Sequence, residues 1–365
     1  MITAIRVKNF KSFKDFKLEG LNHFTCIIGL NGSGKSTLLQ VLEGIGRLAH
    51  GEEQPPLFGS DCLTFGSPPG TRLEFSISFD DSIVWDAAFD VELQKFTFER
   101  VSRNDEVVFS SEKLELGLTG VKLAANGSLL AHLDVEPGSA LGIVKKDMQS
   151  LKNLGLLSPV LLREGSGLYD AEIHSGGRGF AGFLAKLSES DKNGLMEDLH
   201  RYYPETDFYT VRTQGGGKYL EFTESVNALN VNSFTSHFAN DGLLRTLAIL
   251  SQRYSPQNFI LFDEVENGFN QELIEQLVKE LLDFKGKQVM ITTHSALVVN
   301  YIPDETAKQS LIFLFKDLNG HTRTIRFFDI EKNRDLLPVL PAGQIMSQCD
   351  LVKLSEKCAK SGAEK

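Results

Sequence analysis

The sequence is poor in cysteine: four in 365 residues (Cys26, Cys62, Cys349 and Cys358), with no C-x-x-C pair and no histidines clustered beside them. That pattern excludes a zinc ribbon or a disulfide framework and leaves reduced, structural thiols, with Cys26 reading as a small buried apolar residue. No apolar run approaches the roughly 18 residues that a membrane span requires. The start, Met1-Ile2-Thr3-Ala4-Ile5-Arg6, lacks the charged-then-apolar layout of a signal peptide, so a cytoplasmic protein with no membrane partner is expected. Basic residues are outnumbered, 38 Lys and Arg against 48 Asp and Glu, and the net charge of −10 excludes a surface coated for nucleic acid. A local strip is still allowed. Arg6, Lys8, Lys11, Lys14 and Lys17 form one, readable either as the wet face of a strand and turn or as a contact for DNA or RNA. Internal repeats and sustained heptads are both lacking, so neither a solenoid nor a long coiled coil is present.

What the chain does have is an ordinary globular composition, 41% hydrophobic and 24% charged, enough for one large domain or two. Its most specific segment is residues 29–37, G-L-N-G-S-G-K-S-T. Before it, Phe24, Thr25, Cys26, Ile27 and Ile28 form a short run of β-formers; after it, Leu38, Leu39, Val41 and Leu42 fall at helical spacing. Strand, glycine loop and helix is the order of a P-loop. Gly29, Gly32 and Gly34 let backbone N–H groups, with those of Asn31 and Ser33, turn around phosphates at a helix N-terminus. Lys35 supplies a point charge to the β- and γ-phosphates, and the hydroxyls of Ser36 and Thr37 follow, Ser36 placed to ligate Mg²⁺. The expected ligands are therefore ATP and Mg²⁺.

The rest of the chain divides by pattern. Residues 1–139 combine the P-loop with apolar–polar alternation from about Leu63 to Leu116, as in Leu73-Glu74-Phe75-Ser76-Ile77-Ser78-Phe79, which predicts an antiparallel β subdomain. Residues 140–235 read as a mainly helical insertion, with one face formed by Phe180, Phe183, Leu184 and Leu187. That insertion also carries a hairpin around Gly215-Gly216-Gly217; no helix follows this glycine triplet, so it is not a second phosphate loop. Residues 236–350 return to α/β alternation, and residues 351–365 form a polar tail expected to fray.

Within the third segment, Phe259-Ile260-Leu261-Phe262 delivers Asp263 and Glu264 to the end of an apolar strand. Two carboxylates serve two roles there: Asp263 on Mg²⁺ and Glu264 as general base toward water. One strand later, Thr292-Thr293-His294-Ser295 places His294 where a side chain can reach the γ-phosphate. Upstream, an apolar helix containing Leu247, Ala248 and Leu250 starts near Asn240 and Gly242.

In this order the motifs resemble the ABC-type, AAA-family ATPases of the SMC/RecF/OLD group. The resemblance runs from Ile5-Arg6-Val7-Lys8-Asn9-Phe10 to Thr293-His294-Ser295, through a signature-like Asn240-Asp241-Gly242-Leu243-Leu244-Arg245 and a D-loop-like Glu266-Asn267-Gly268-Phe269. It implies a P-loop NTPase fold with a mixed sheet and helices, and a homodimer that sandwiches two ATPs, each capped by Asn240 and Gly242 of the opposite subunit. Lys35, Glu264 and His294 are the implied catalytic residues. Two departures stand out: Asn240 replaces the usual serine, and Asn270-Gln271 stands where His-Pro is usual, both pointing to slow or switch-like use of ATP. Gln94 and Gln149 are weak choices for the family's Q-loop glutamine, and Arg163 and Arg178, in a glycine-rich stretch, are candidate phosphate contacts. The 206 positions between Lys35 and Asp241 exceed what a compact transporter cassette needs, and no Toprim-like acidic cluster follows. A stand-alone ATPase head is expected, coupled to nucleic-acid processing or to a separate nuclease or toxin, in DNA repair or anti-phage defence. The alternatives are a nearly non-hydrolysing scaffold that holds such an effector inactive and, less favoured, a transporter energy subunit.

Overall fold

A computed structural model describes residues 1–52, 56–111, 127–227 and 230–362. The chain forms two compact units, one from Met1–Lys152 with Ile302–Lys365 and the other from Asn153–Tyr301.

In the first unit, alternation dictates a six-stranded antiparallel sheet in the order Phe13–Glu19, Ile2–Phe10, Leu73–Phe79, Ile83–Asp90, Lys95–Arg103, Glu106–Ser110. Every second residue of Leu73–Phe79 is buried, and Trp85 packs edge-on against Phe75 in its core. The end of the expected alternating stretch, beyond residue 111, lies outside the described residues. The apolar strand Phe24–Gly29 pairs in parallel with Leu311–Lys316, which turns back through Asn319-Gly320 to pair antiparallel with Thr322–Arg326. Strand Phe24–Gly29 is buried throughout and feeds directly into the helix Lys35–Ala49.

The tail differs from the expectation. Residues 351–362 are helical, because Leu354, Cys358 and Ala359 share one face and are buried. Three apolar contacts beside three lysines and one glutamate suffice once a neighbouring surface receives them, which is a tertiary effect that composition does not display.

One buried carboxyl in this unit has a measurable consequence. Glu99 is fully buried, and desolvation raises its pKa to about 7 against hydrogen bonds from the Ser128 hydroxyl and the Leu129 N–H that favour the charged form. The unfolded chain releases that proton near pH 4.5, so the folded state binds more protons between pH 4.5 and 7. Stability should therefore fall by about 3 kcal/mol as pH rises through that window and show no further loss from this group above it. Thermal unfolding of Glu99→Gln should show this fall removed; equal pH dependence in both proteins would contradict the assignment.

The second unit contains the antiparallel strands Thr206–Gln214, Gly217–Asn227 and Asn230–Thr235, with Gly215 and Gly216 at positive φ in the first hairpin turn. It also holds the parallel pair Phe259–Phe262 and Gln288–Thr292, both buried. Helix Gln271–Leu282 buries Ile274, Leu277, Val278 and Leu281. Helix Asp241–Ser251 is buried from Leu243 onward, leaving only its N-terminal end open.

Candidate functional site

Each unit carries its own set of candidate site residues. In the first, Gly29 closes the strand and Gly34 caps the helix that Lys35 opens. Gly34 has φ +112, a region that side chains avoid, and a Cβ there would lie 2.7 Å from the Thr322 hydroxyl and 3.1 Å from the Phe13 ring. Among the described residues no side chain caps this helix, so its first N–H groups and dipole are directed at the loop, as an anion site requires. Asn31, Gly32 and Ser36 are exposed, Thr37 is half-buried, and Ser33 is buried with no hydrogen-bond partner for its hydroxyl among the described residues. Lys35 is only 6% exposed, its ammonium donating to the carbonyls of Gly29 at 2.9 Å and Leu30 at 3.1 Å. A cation held inside a loop of N–H donors is a receptor for phosphate oxygens.

In the second unit, Asp263 and Glu264 follow the strand Phe259–Phe262 at its C-terminal end, both half-buried. Glu264 has φ +45, an uncommon left-handed conformation for a residue with a side chain. His294 Nε2 lies 3.8 Å from Glu264 Oε1, and the His294 N–H donates to Glu266 Oε1 at 2.8 Å. The two carboxylates border a cavity of about 10 Å³, the size of one water, which Leu157, Arg245, Asn267 and Phe269 also line. A carboxylate beside such a space has the chemistry of a general base.

Asn240 is the N-cap of helix Asp241–Ser251: its Oδ1 accepts the Leu243 N–H at 2.6 Å. Capping turns the oxygen inward, so the amide nitrogen is the group left to donate outward; the side chain is exposed. Arg163 anchors the approach to this helix, donating to the Ala239 carbonyl at 2.7 Å and to Asp241 Oδ1 at 2.5 Å. Arg178 is 67% exposed and pairs loosely with Glu164.

A family profile described as "AAA domain, putative AbiEii toxin, Type IV TA system" matches residues 24–300, well over half the chain. The chain belongs to this AAA family. An "ATP/GTP phosphatase" of Helicobacter pylori (strain ATCC 700392 / 26695) is 48% identical over 360 residues, covering 87% of this chain and 92% of that one. Among solved structures, an SMC head bound to the C-terminal winged-helix domain of ScpA aligns with a TM-score of 0.54 at 16% identity, over 89% of this chain and 97% of that one. The protein is an AAA-family ATPase with the mixed α/β fold of an SMC head.

Several residues of this ATPase that position the motifs are invisible in sequence. Thr322, fully buried, donates to the Ser33 carbonyl at 2.8 Å and is hydrogen-bonded to Ser12, so a hairpin far along the chain forms the floor of the P-loop. Arg245, held by the Leu157 carbonyl at 3.1 Å, lies against Gly268, where a Cβ would overlap its guanidinium. The signature-like helix and the D-loop-like turn are thereby packed together within one unit. Only the paired glycines Gly242 and Gly268 hinted at such close approach.

The two glutamines considered for a Q-loop have other partners. Gln94 donates to the carbonyls of Phe58 and Val91, and Gln149 to that of Ala49. Ala49 ends the helix that Lys35 begins, about 20 Å away at 1.5 Å per residue, so Gln149 is remote from the phosphate loop.

Proposed function

We propose that this ATPase works as a homodimer that closes around two ATP–Mg²⁺, and that closure controls a separate effector protein. Lys35 and the N–H groups of residues 29–37 would hold the triphosphate. Ser36 and Asp263 offer the hard oxygen donors that suit Mg²⁺, which would neutralise phosphate charge. Glu264 would take the proton from the attacking water, and His294 would respond to the γ-phosphate. Asn240 and Gly242 would cap that phosphate from the other subunit.

The observation that carries the dimer is the surface around the signature-like helix. Its N-terminus is open, the charge of Asp241 there is offset by Arg163, Asn240 presents an amide donor, and beside it Phe238 is 83% and Val160 67% exposed. Donors and dipole suit an anion, while the apolar side chains suit burial against protein. A second copy carrying a bound nucleotide meets both needs.

An effector protein is favoured over DNA or RNA by how the basic strip is used. Arg6 pairs bidentately with Asp15 at 2.9 Å, and Lys8 with Glu74 at 3.0 Å, so much of its charge is neutralised within the sheet. The family description, with its toxin–antitoxin context, suggests a toxin as that effector. Asn240, longer than the usual serine, supports slow hydrolysis and a switch-like role, in DNA repair or anti-phage defence.

Glu264→Gln protein with ATP and Mg²⁺ should run at twice the monomer mass by light scattering and return to monomer with ADP. A protein that stays monomeric with ATP would refute the sandwich. Protein that co-purifies with this trapped form identifies the effector class, whereas ATP turnover stimulated by DNA would shift the reading to nucleic acid.

A further inference from the structure

The geometry points to Thr292 as the positioning residue for both carboxylates, through one hydroxyl. This rests on the reading of Asp263 and Glu264 as the cation and water carboxylates. The parallel register sets Phe262 opposite Ile291, so Asp263 and Thr292 leave their strands side by side. Thr292 is fully buried. Its Oγ1 accepts the Glu264 N–H at 2.9 Å and donates its proton to Asp263 Oδ1. Its carbonyl accepts the Val265 N–H at 3.2 Å, so the whole turn is wrapped on this residue.

Two features make the hydroxyl matter. Glu264 sits at φ +45, a conformation that persists only where surrounding bonds over-determine it, and its N–H bond to Thr292 is one of them. Moreover, the side-chain contacts of Glu264 among the described residues are long: a hydrogen bond from Asn267 Nδ2 at 3.4 Å and His294 Nε2 at 3.8 Å. The Glu264 carboxylate is thus aimed by its backbone more than by its side-chain contacts. The same hydroxyl gives its only proton to Asp263, which fixes the rotation of that carboxylate toward the oxygen it presents to a cation. A strand position with any β-branched residue would build the sheet; only one with a hydroxyl ties these two groups together.

Thr292→Val keeps the shape and removes the bonds. It should lower kcat by about 10–100-fold, the scale of a misplaced catalytic group, with KM for ATP changed less than about threefold. The Glu264 amide, stripped of its acceptor, should exchange hydrogen faster, a readout independent of turnover. Thr292→Ser retains the hydroxyl and should restore kcat to within about threefold and the slow exchange with it. Wild-type kcat in Thr292→Val would overturn the inference, as would a Thr292→Ser protein as slow as the valine variant. If Glu264→Gln itself kept full turnover, the underlying assignment of the carboxylates would fall; with that control inactive, a fully active valine variant condemns the Thr292 role alone.

Discussion

Glu264→Gln should turn over ATP about 10²–10⁴-fold more slowly than the wild type while still binding nucleotide. Glutamine keeps the volume and polarity of the side chain but cannot accept the proton of the attacking water. The positive φ of Glu264 and its bond to Thr292 belong to the backbone, so the substitution leaves the turn in place. Loss confined to kcat, with ATP affinity within about threefold, identifies a group that acts in the transition state. Phosphate release and equilibrium nucleotide binding measured on the same protein check it; equal losses in both would mean that the change had disturbed the site as a whole.

Lys35→Ala should act on the opposite quantity. The Lys35 ammonium is buried among loop carbonyls, so its charge is poorly screened by water and fully felt by phosphate. Removing charge-assisted bonds of about 1.5–3 kcal/mol should weaken ATP binding roughly 10–100-fold, with ADP affected similarly and adenosine hardly at all. Titration with a fluorescent nucleotide gives the answer directly. Unchanged ATP affinity would remove Lys35 from the phosphate site.

How much of this could be read from the chain follows from distance along it. The P-loop is a local object: strand, turn and helix occupy consecutive residues, and the glycines state their own conformational demand at Gly34. The antiparallel sheet was equally legible, because alternation in Leu73–Phe79 is the imprint of one buried face. Contacts that close over long separations left no trace. Thr322 looks like any strand threonine until Ser33 and Ser12 meet its hydroxyl. Thr292 was read as a neighbour of His294, whereas its bonds run sideways to Asp263 and Glu264. The terminal helix Leu351–Gly362 was missed because its polar composition conceals a narrow apolar face. Gln94 and Gln149 illustrate the converse: an amide can satisfy backbone carbonyls, a role that the sequence does not distinguish from ligand binding.

The central claim, that each ATP is shared between two copies of the chain, is tested most directly by mixing two inactive variants. Lys35→Ala disables the phosphate loop. Asn240→Asp keeps the N-cap, since aspartate caps as well as asparagine, but replaces the outward amide by a carboxylate that repels phosphate. At ATP concentrations below the weakened affinity of Lys35→Ala, each variant alone should hydrolyse little ATP. In a mixed dimer, the intact loop of one chain faces the intact signature of the other, so turnover per dimer should recover to about half the wild-type value, one site of two, if the sites act independently. A mixture no more active than its components would contradict the shared site.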